Sequence, residues 1–152
     1  MEIRRATRDD AAAIHDLHTR SVKGLWGTHY SQTQIDGWIA GRSPEGYLPA
    51  ISRGEMFVAD ANSGLLGFGH ATSDSVKAIF VDPDVAGTGV GSALLQHALV
   101  CIGTHGPIRL TSTLNAVSFY RRFGFRVSGE RLIEKGHVSI PAVDMVLSVQ
   151  PN

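Results

Sequence analysis

The sequence lacks several features that would place a protein in a special class. It has one cysteine, Cys101, among 152 residues, so the chain cannot form an internal disulfide. No apolar run approaches the roughly 20 residues that cross a bilayer, and no basic and apolar leader opens the sequence. Its 14 basic residues balance its 14 acidic residues, so no overall charge attracts nucleic acid or an anionic membrane. These absences predict a cytoplasmic protein that binds neither nucleic acid nor membrane.

The apolar content is sufficient for one ordinary globular domain. Hydrophobic residues make up 43% of the chain, and 152 residues suit a single domain over 1–152. Cys101 lies beside Leu99 and Ile102, which predicts a buried, unreactive thiol. His15 and His18 lie on one predicted helix without a third ligand, so we interpret them as helix-surface residues and expect no metal site.

The most informative stretch is a glycine-rich turn between a strand and a helix. Residues 77–81 are rich in β-branched and aromatic side chains, Asp82-Pro83-Asp84 ends the strand, and glycines follow at alternate positions over 87–91. Apolar residues at helical spacing then fill 90–103. Unpaired N–H groups at a helix start, together with the helix dipole, form a phosphate site made of backbone alone. We therefore predict that the amides of residues 86–92 bind a phosphate group.

Two common phosphate-binding motifs do not fit this turn. A Walker loop requires a lysine after its last glycine, and no lysine follows Gly91. A fingerprint spaced Gly-x-Gly-x-x-Gly, counted from Gly87 and Gly89, would need its third glycine at Ser92. Three predicted antiparallel strands also precede the turn, whereas a Rossmann-type oxidoreductase has a βαβ unit at its glycines. These departures disfavour an oxidoreductase.

Hydrophobic patterns predict strands and helices along the whole chain. Residues 24–54 form a helical insert rich in aromatic side chains. The strand at 108–111 follows a crossover helix, so it should lie parallel to the strand at 76–81. Either Thr113 or Asn115 is expected to cap the last helix. The predicted helices span residues 7–24, 31–41, 43–54, 90–103 and 113–123. The predicted strands span residues 2–6, 56–60, 65–72, 76–81, 108–111, 125–128 and 142–149.

The glycine-rich turn resembles motif A of the GCN5-related N-acetyltransferases, which runs Val-x-Pro-x-x-Arg/Gln-x-x-Gly-x-Gly/Ala. The residues that match are Val81, Pro83, Gly89 and Gly91. Ala86 stands where the family usually has Arg or Gln, and Thr88 stands where a basic residue is common. In that family the loop wraps the pyrophosphate of acetyl-coenzyme A.

A second stretch, residues 115–125, resembles the family's motif B, Asn-x-x-Ala-x-x-Phe-Tyr-x-x-x-Gly-Phe. Asn115 is taken as the asparagine of the motif, Ser118 as the replacement of its alanine, and Tyr120 as its tyrosine. Two motifs in the same order are more specific than either one alone. The resemblance covers nearly the whole chain, and its amino-terminal third is the least diagnostic part.

The resemblance implies an α/β (α+β) fold with a single domain of this family over 1–152. Its mixed central sheet would have about seven strands, antiparallel at both ends, with a parallel, splayed pair in the middle and helices on its flanks. The acyl groove would lie between strands 76–81 and 108–112. The aromatic insert at 24–54 would form much of the acceptor pocket, although its aromatic residues could equally serve only to pack against the sheet. Dimers are frequent in the family, so a homodimer is a further expectation.

The resemblance also implies which residues form the site. Those expected to bind acetyl-coenzyme A are Ile79, Phe80, Val81, Ala86, Gly87, Thr88, Gly89, Val90, Gly91, Ser92, Asn115, Ser118 and Tyr120. Those expected to bind the acceptor are Trp26, His29, Tyr30, Trp38 and His70.

Two of these residues are candidates for proton transfer. Tyr120 matches the family's general acid, which protonates the departing thiolate; a tyrosine that is only packed is the alternative. His70 is a candidate base for the attacking amine, and a strand histidine with a structural partner is equally open. Asp74 or His29 could serve instead. An amide near Phe80 or Val81 could hold the oxyanion.

The departures from motif A predict a weaker or differently compensated coenzyme A site. The missing basic side chains at Ala86 and Thr88 remove about two charged contacts, each contributing roughly 1.5–3 kcal/mol. Arg121 and Arg122 could compensate, although they could also form a solvent-exposed helix face.

The sequence as a whole favours an enzyme that moves acetyl from acetyl-coenzyme A to a primary amine of a small molecule or a peptide by direct attack. The alternative is a module that binds acyl-coenzyme A without turnover. Because the chain is neutral, its charge does not indicate the acceptor.

Overall fold

The computed structural model describes residues 1–148, whose strands form one mixed sheet. The strands are β1 (Glu2–Arg5), β2 (Met56–Ala61), β3 (Gly64–Ala71), β4 (Ser75–Val81), β5 (Ile108–Thr113), β6 (Arg126–Lys135) and β7 (Val138–Leu147). The helices are α1 (Ala11–Leu25), α2 (Gln32–Ile39), α3 (Leu48–Ser52), α4 (Val90–Ile102) and α5 (Val117–Arg122). The spatial order is β1-β2-β3-β4-β5-β7-β6. Only β4 and β5 pair in parallel within the described sheet, which confirms the predicted fold class.

Helix α1 follows the predicted apolar periodicity. The residues of its predicted inner face that are buried are Ala11, Ile14, Leu17, His18, Ser21 and Val22. The interpretation of His18 as a surface residue is therefore wrong, because its ring lies on the inner face and is only 5% exposed. None of the helices within residues 1–148 is long and apolar enough to cross a membrane.

Helix α4 packs on one face of the sheet, and α1 and α3 pack on the other. Leu94, Leu95 and Ala98 of α4 are fully buried in a core shared with Phe57. The sheet admits α4 closely because Gly67 has no side chain; a Cβ there would lie 2.8 Å from Leu94 Cδ1. Burying each such leucine contributes roughly 1.5–3 kcal/mol, so this core holds α4 and the turn before it in place.

The parallel pair β4 and β5 is splayed, as predicted. The two strands pair only at Ser75 with Arg109 and at Val76 with Leu110. On its other edge β5 pairs with β7 along its whole length, from Ile108 to Thr113. The rest of β4 therefore has an open side facing β5, and this opening is where the site lies.

The carboxy-terminal hairpin is longer than the sequence predicts. The short strands expected at 125–128 and 142–149 are β6 and β7, which are 10 residues each and meet at a turn around Gly136. Strand β6 lies at the sheet edge and is largely exposed, so its sequence lacks the apolar alternation that marks a half-buried strand. The last residue predicted for the final strand, Val149, lies outside the described residues.

Two smaller predictions are wrong. Cys101 is exposed, because it lies just outside the buried stripe of α4 that contains Ala98 and Ile102. Neither Thr113 nor Asn115 caps a helix with its side chain, since a short 3-10 turn over 114–116 leads into α5.

Candidate active site

A cavity of about 540 Å³ lies at the splay between β4 and β5. It is bounded by β4, by the glycine-rich turn, by the segment from β5 to α5, and by the end of α1 with the loop after it. The predicted coenzyme A residues that line it are Ile79, Phe80, Val81, Ala86, Gly87, Gly91, Asn115 and Tyr120. The predicted acceptor residues that line it are Trp26, His29 and Trp38. The fold therefore brings most of the predicted residues to one place.

The start of the glycine-rich turn is fixed by contacts with α1. The Asp82 carboxylate accepts hydrogen bonds from the Asp84 amide at 2.9 Å and from Arg20 Nη1 at 2.7 Å. Arg20 therefore holds the pKa of Asp82 below its usual range. Helix α1 approaches closely at Gly24, where a Cβ would lie 2.7 Å from Pro83 Cγ. These contacts set the position from which the turn leaves β4.

The turn itself presents unpaired amides at the start of α4. Gly87 and Gly89 have φ of 79° and 96°, values that favour glycine. Within the described chain no carbonyl accepts from the amides of Gly87 and of residues 89–92. The amides of Ala86 and Thr88 instead donate to Pro83 and Val85 carbonyls at 3.4 Å and 3.3 Å. The prediction that every amide from 86 to 92 is free is therefore wrong at these two positions.

Five predicted coenzyme A residues do not line the cavity. They are Thr88, Gly89, Val90, Ser92 and Ser118. Val90 is buried in the core beneath the turn, and Ser118 is on the exposed side of α5. Backbone amides rather than side chains are the unpaired groups that the turn has at Gly89, Val90 and Ser92.

Asn115 presents a buried polar atom that lacks a partner. Its Oδ1 is buried and accepts no hydrogen bond from any group in residues 1–148. Such an atom costs roughly 1–3 kcal/mol when it stays unsatisfied. Asn115 also lines the cavity, so this unpartnered acceptor belongs to a residue of the cavity wall.

The spacing of the second motif points to two residues that were not predicted from the sequence to bind coenzyme A. The family pattern has its asparagine seven positions before the tyrosine and its alanine four positions before. Counted back from Tyr120, these positions are Thr113 and Ala116, and both line the cavity. The match of Asn115 and Ser118 to the motif is therefore wrong in register, although Asn115 still lies at the cavity.

Tyr120 lines the cavity with a protonated phenol. Its side chain is on α5 and is 6% exposed, packed against Phe119 and Phe125. Burial raises the pKa of Tyr120 above its ordinary value, so the phenol keeps its proton across the physiological range. Within residues 1–148 no group forms a hydrogen bond with its hydroxyl, which leaves that proton available to a bound molecule.

The open side of β4 supplies further backbone donors. The Asp82 amide donates to the Leu66 carbonyl on β3 at 2.8 Å. Strand alternation then directs the backbone groups of Phe80 toward β3 and those of Ile79 and Val81 toward the splay. Of the two amides considered from the sequence, Val81 is the one whose N–H faces the cavity.

Two residues predicted to bind the acceptor amine, Tyr30 and His70, form hydrogen bonds with protein groups outside the cavity instead. The Tyr30 hydroxyl donates to the Pro141 carbonyl at 2.6 Å and accepts from the Leu114 amide at 2.8 Å. His70 Nε2 lies 2.9 Å from Glu55 Oε1, on the neighbouring strand end. Neither residue lines the cavity, and neither does Asp74. Among the bases considered from the sequence, only His29 lines it.

Trp38, at the edge of the cavity, is held by a hydrogen bond to a buried histidine. Its indole N–H donates to His18 Nε2 at 3.2 Å, and His18 Nδ1 lies 2.7 Å from the Tyr47 hydroxyl. Burial, followed by the charges of Arg42, His15 and Lys135, lowers the pKa of His18 to about 3. The ring is therefore neutral at physiological pH and accepts from Trp38 as a structural partner.

Comparisons with known proteins identify the family of this chain. A family profile described as the acetyltransferase (GNAT) domain matches residues 27–149. The peptidyl-lysine N-acetyltransferase YjaB of Escherichia coli is 38% identical over 142 residues, covering 88% of this chain and 88% of the relative. YjaB of Salmonella typhimurium is 35% identical over 86 residues, so the match spans 53% of this chain and only 56% of that relative.

Solved structures share the fold. A GCN5-related N-acetyltransferase from Rhodopseudomonas palustris has a TM-score of 0.91 at 20% identity, covering 97% of this chain and 94% of that one. The PaiA N-acetyltransferase of Thermoplasma acidophilum in complex with coenzyme A has a TM-score of 0.72 at 21% identity, covering 97% and 98%. The family profile and the Escherichia coli relative confirm the resemblance: this chain belongs to the GCN5-related N-acetyltransferases, enzymes that transfer an acetyl group.

Proposed function

We propose that the protein transfers acetyl from acetyl-coenzyme A to a primary amine by direct attack, with Tyr120 as general acid. The observation that carries this proposal is the position of one cavity between unpaired loop amides and a buried, protonated tyrosine. The names of the YjaB relatives point to the side chain of a peptide lysine as the class of acceptor.

The unpaired amides of Gly87 and of residues 89–92 are proposed to hold the diphosphate of coenzyme A. Asn115 and the splayed side of β4 are proposed to hold the pantetheine arm, as a further strand would be held. When bound, acetyl-coenzyme A supplies an activated thioester. All of these protein groups donate or accept hydrogen bonds through atoms that have no partner within residues 1–148.

Tyr120 is proposed to transfer its phenolic proton to the sulfur as the carbon–sulfur bond breaks and the carbon–nitrogen bond forms. The Val81 amide is proposed to stabilise the negative charge on the carbonyl oxygen. His29 is proposed to accept the amine proton, directly or through water, because it lies at the acceptor side of the cavity. His70 is not part of this proposal, since Glu55 holds it away from the cavity.

Because Ala86 and Thr88 lack the basic side chains common at these motif positions, we expect weaker binding of the diphosphate. Arg121 and Arg122 are both exposed. The guanidinium carbon of Arg122 lies 5.9 Å from the Phe119 ring centroid, and Phe119 packs against Gly91 at the start of α4. Arg122 is therefore the better placed of the two to compensate for Ala86. The cytoplasmic location, a homodimer and the absence of a metal stay predictions.

The test is a panel of primary amines incubated with acetyl-coenzyme A, with release of free thiol and the mass of the product both measured. The proposal predicts thiol release that depends on the amine. It also predicts an amide product about 42 Da heavier than the amine, which is the net mass that an acetyl group adds. Tight coenzyme A binding without thiol release for any amine would favour the non-catalytic acyl-coenzyme A sensor instead.

A further inference from the structure

A second, polar groove adjoins the cavity on the sheet face opposite α4. It encloses about 350 Å³, and Val76, Lys77 and Thr111 line both the groove and the cavity. The burial pattern of β5 alternates, so Arg109 and Thr111 are exposed on this face while Ile108 and Leu110 are buried in the core on the other. The groove therefore adjoins the place where acetyl transfer is proposed.

Two cationic residues of the groove, Arg109 and Lys77, flank the point where β4 and β5 part. Arg109 pairs in register with Ser75, and the next pair, Val76 with Leu110, is the last before the splay. Lys77 follows directly and lies at a β-bulge, because His70 pairs with Ala78 and Ala71 with Val76. A bulged residue has no partner across the ladder, and Lys77 lines both the cavity and the groove.

The groove has more positive than negative charge. Its one carboxylate, Asp144, accepts from Arg131 Nε at 3.0 Å and Nη2 at 3.1 Å, and from Thr111 Oγ1 at 2.8 Å. Arg131 holds the pKa of Asp144 below its ordinary value, so this carboxylate is ionised and compensated. Within residues 1–148, neither Lys77 nor Arg109 has a carboxylate within 4.0 Å.

We propose that this groove binds an anionic group carried by the acceptor amine, so that the preferred acceptors are amines with a nearby carboxylate. The proposal rests on the proposed function, because it places the acceptor in the adjoining cavity. Lys77 and Arg109 supply the two uncompensated charges, and the Arg131–Asp144 pair closes one side of the groove. The carboxylate can belong to a small molecule or to an acidic side chain beside a peptide lysine.

The experiment compares acceptors that differ only in this charge. One pair is 6-aminohexanoate and 6-aminohexanamide; the other is two peptides identical except for Glu or Gln beside a single lysine. For exposed groups at low salt we expect kcat/KM to favour the anionic member by roughly three- to ten-fold, with the preference shrinking in high salt. A preference in the first pair only, or in the second only, identifies the source of the carboxylate.

Variants assign the preference to the groove. The double variant Lys77→Gln, Arg109→Gln should treat both members of a pair alike. The matched control Arg8→Gln removes an exposed guanidinium next to β1, at the opposite edge of the sheet, and should keep the preference. Equal kcat/KM for the members of both pairs with wild-type protein, or a preference that persists in the double variant, would overturn the proposal.

A binding measurement separates this proposal from the proposed function. NMR titration of the protein with 6-aminohexanoate does not require turnover. If no amine were acetylated, weaker 6-aminohexanoate binding by the double variant would still support the groove while the proposed reaction failed. Equal binding by the two proteins would overturn the groove.

Discussion

At the residue scale, the hydroxyl of Tyr120 is the group on which the proposed chemistry depends. Replacing it in Tyr120→Phe removes the only proton that α5 offers to the cavity. We expect kcat at saturating substrates to fall by about 10²-fold or more, the range typical of a general acid, while coenzyme A affinity stays unchanged. Steady-state kinetics with calorimetric coenzyme A titration provides the measurement. Wild-type kcat in the variant would exclude the assignment.

Tyr30→Phe is the matched control, because its hydroxyl is structural. The hydroxyl joins the Pro141 carbonyl to the Leu114 amide, so its loss leaves a partly buried donor and a partly buried acceptor unpaired. We expect the free energy of unfolding, measured by urea denaturation, to be roughly 1–3 kcal/mol lower in Tyr30→Phe than in wild type. Tyr120→Phe, which breaks no hydrogen bond within residues 1–148, should stay close to wild type in the same assay.

His18 should make the protein less stable in mild acid. Below about pH 6.5 the unfolded chain binds a proton at His18 that the folded protein does not bind until about pH 3. Stability therefore falls as pH decreases through this window, by up to ~1.4 kcal/mol per pH unit. Urea unfolding between pH 7.5 and 5 should show a shallower dependence in His18→Gln than in the control His15→Gln. The same slope in both variants would contradict the assignment of this pH dependence to His18.

At the element scale, the glycine-rich turn combines an unusual backbone with open space. A Cβ at Gly89 would meet no atom within 4 Å, so its φ of 96° is the reason for glycine there. In Gly89→Ala we expect a loss of roughly 1–2 kcal/mol in the free energy of unfolding, since alanine avoids this conformation. Coenzyme A affinity should fall about ten-fold as the free amides shift, the loss expected for one hydrogen bond to a charged group.

The control for this turn is Gly106→Ala. That glycine also has open space around its Cβ position, and its φ is not positive. Urea unfolding and calorimetric titration should give values close to wild type for this variant. Gly89→Ala binding coenzyme A as tightly as Gly106→Ala would show that the turn does not hold the cofactor.

The elements that the sequence predicted well are those with strong local signals. Helix α1 has a clear apolar face, Ser31 caps α2 by accepting from the Gln34 amide, and aspartates mark both ends of β4, with Asp74 before it and Asp82 after it. The hairpin of β6 and β7 was predicted too short, because an exposed edge strand has no core to impose apolar alternation.

The site was predictable where it depends on motifs and less so where it depends on packing. Tyr120 and the glycine-rich turn follow from local motifs and reach the cavity, whereas Asn115 reaches it although its match to the motif was out of register. His70 and Tyr30 were assigned from the family resemblance and from residue type. The structure instead joins His70 to Glu55, 15 residues before it, and Tyr30 to Pro141, 111 residues after it. Side-chain partners so far apart in sequence are set by tertiary structure, which no local pattern reports.

At the scale of the whole molecule, the splay joins the two faces of the sheet through one cavity. The unpaired amides at the start of α4 and Tyr120 lie on one side, and Trp26, His29 and Trp38 lie on the other. A donor and an acceptor entering from opposite faces would therefore meet between β4 and β5. Of the two roles considered from the sequence for the aromatic insert, packing against the sheet is seen, since Tyr30 fastens the insert to β7. Trp38 lines the cavity in which the acceptor is proposed to bind.

The central claim is that this one cavity holds acetyl-coenzyme A with its diphosphate on the turn and its sulfur beside Tyr120. The most direct measurement is a crystal structure of the protein with acetyl-coenzyme A. We predict the diphosphate oxygens within hydrogen-bond distance, roughly 2.7–3.2 Å, of the amides of Gly87 and of residues 89–92. We also predict the Tyr120 hydroxyl in contact with the sulfur. A diphosphate bound elsewhere, or a sulfur out of reach of Tyr120, would contradict the account.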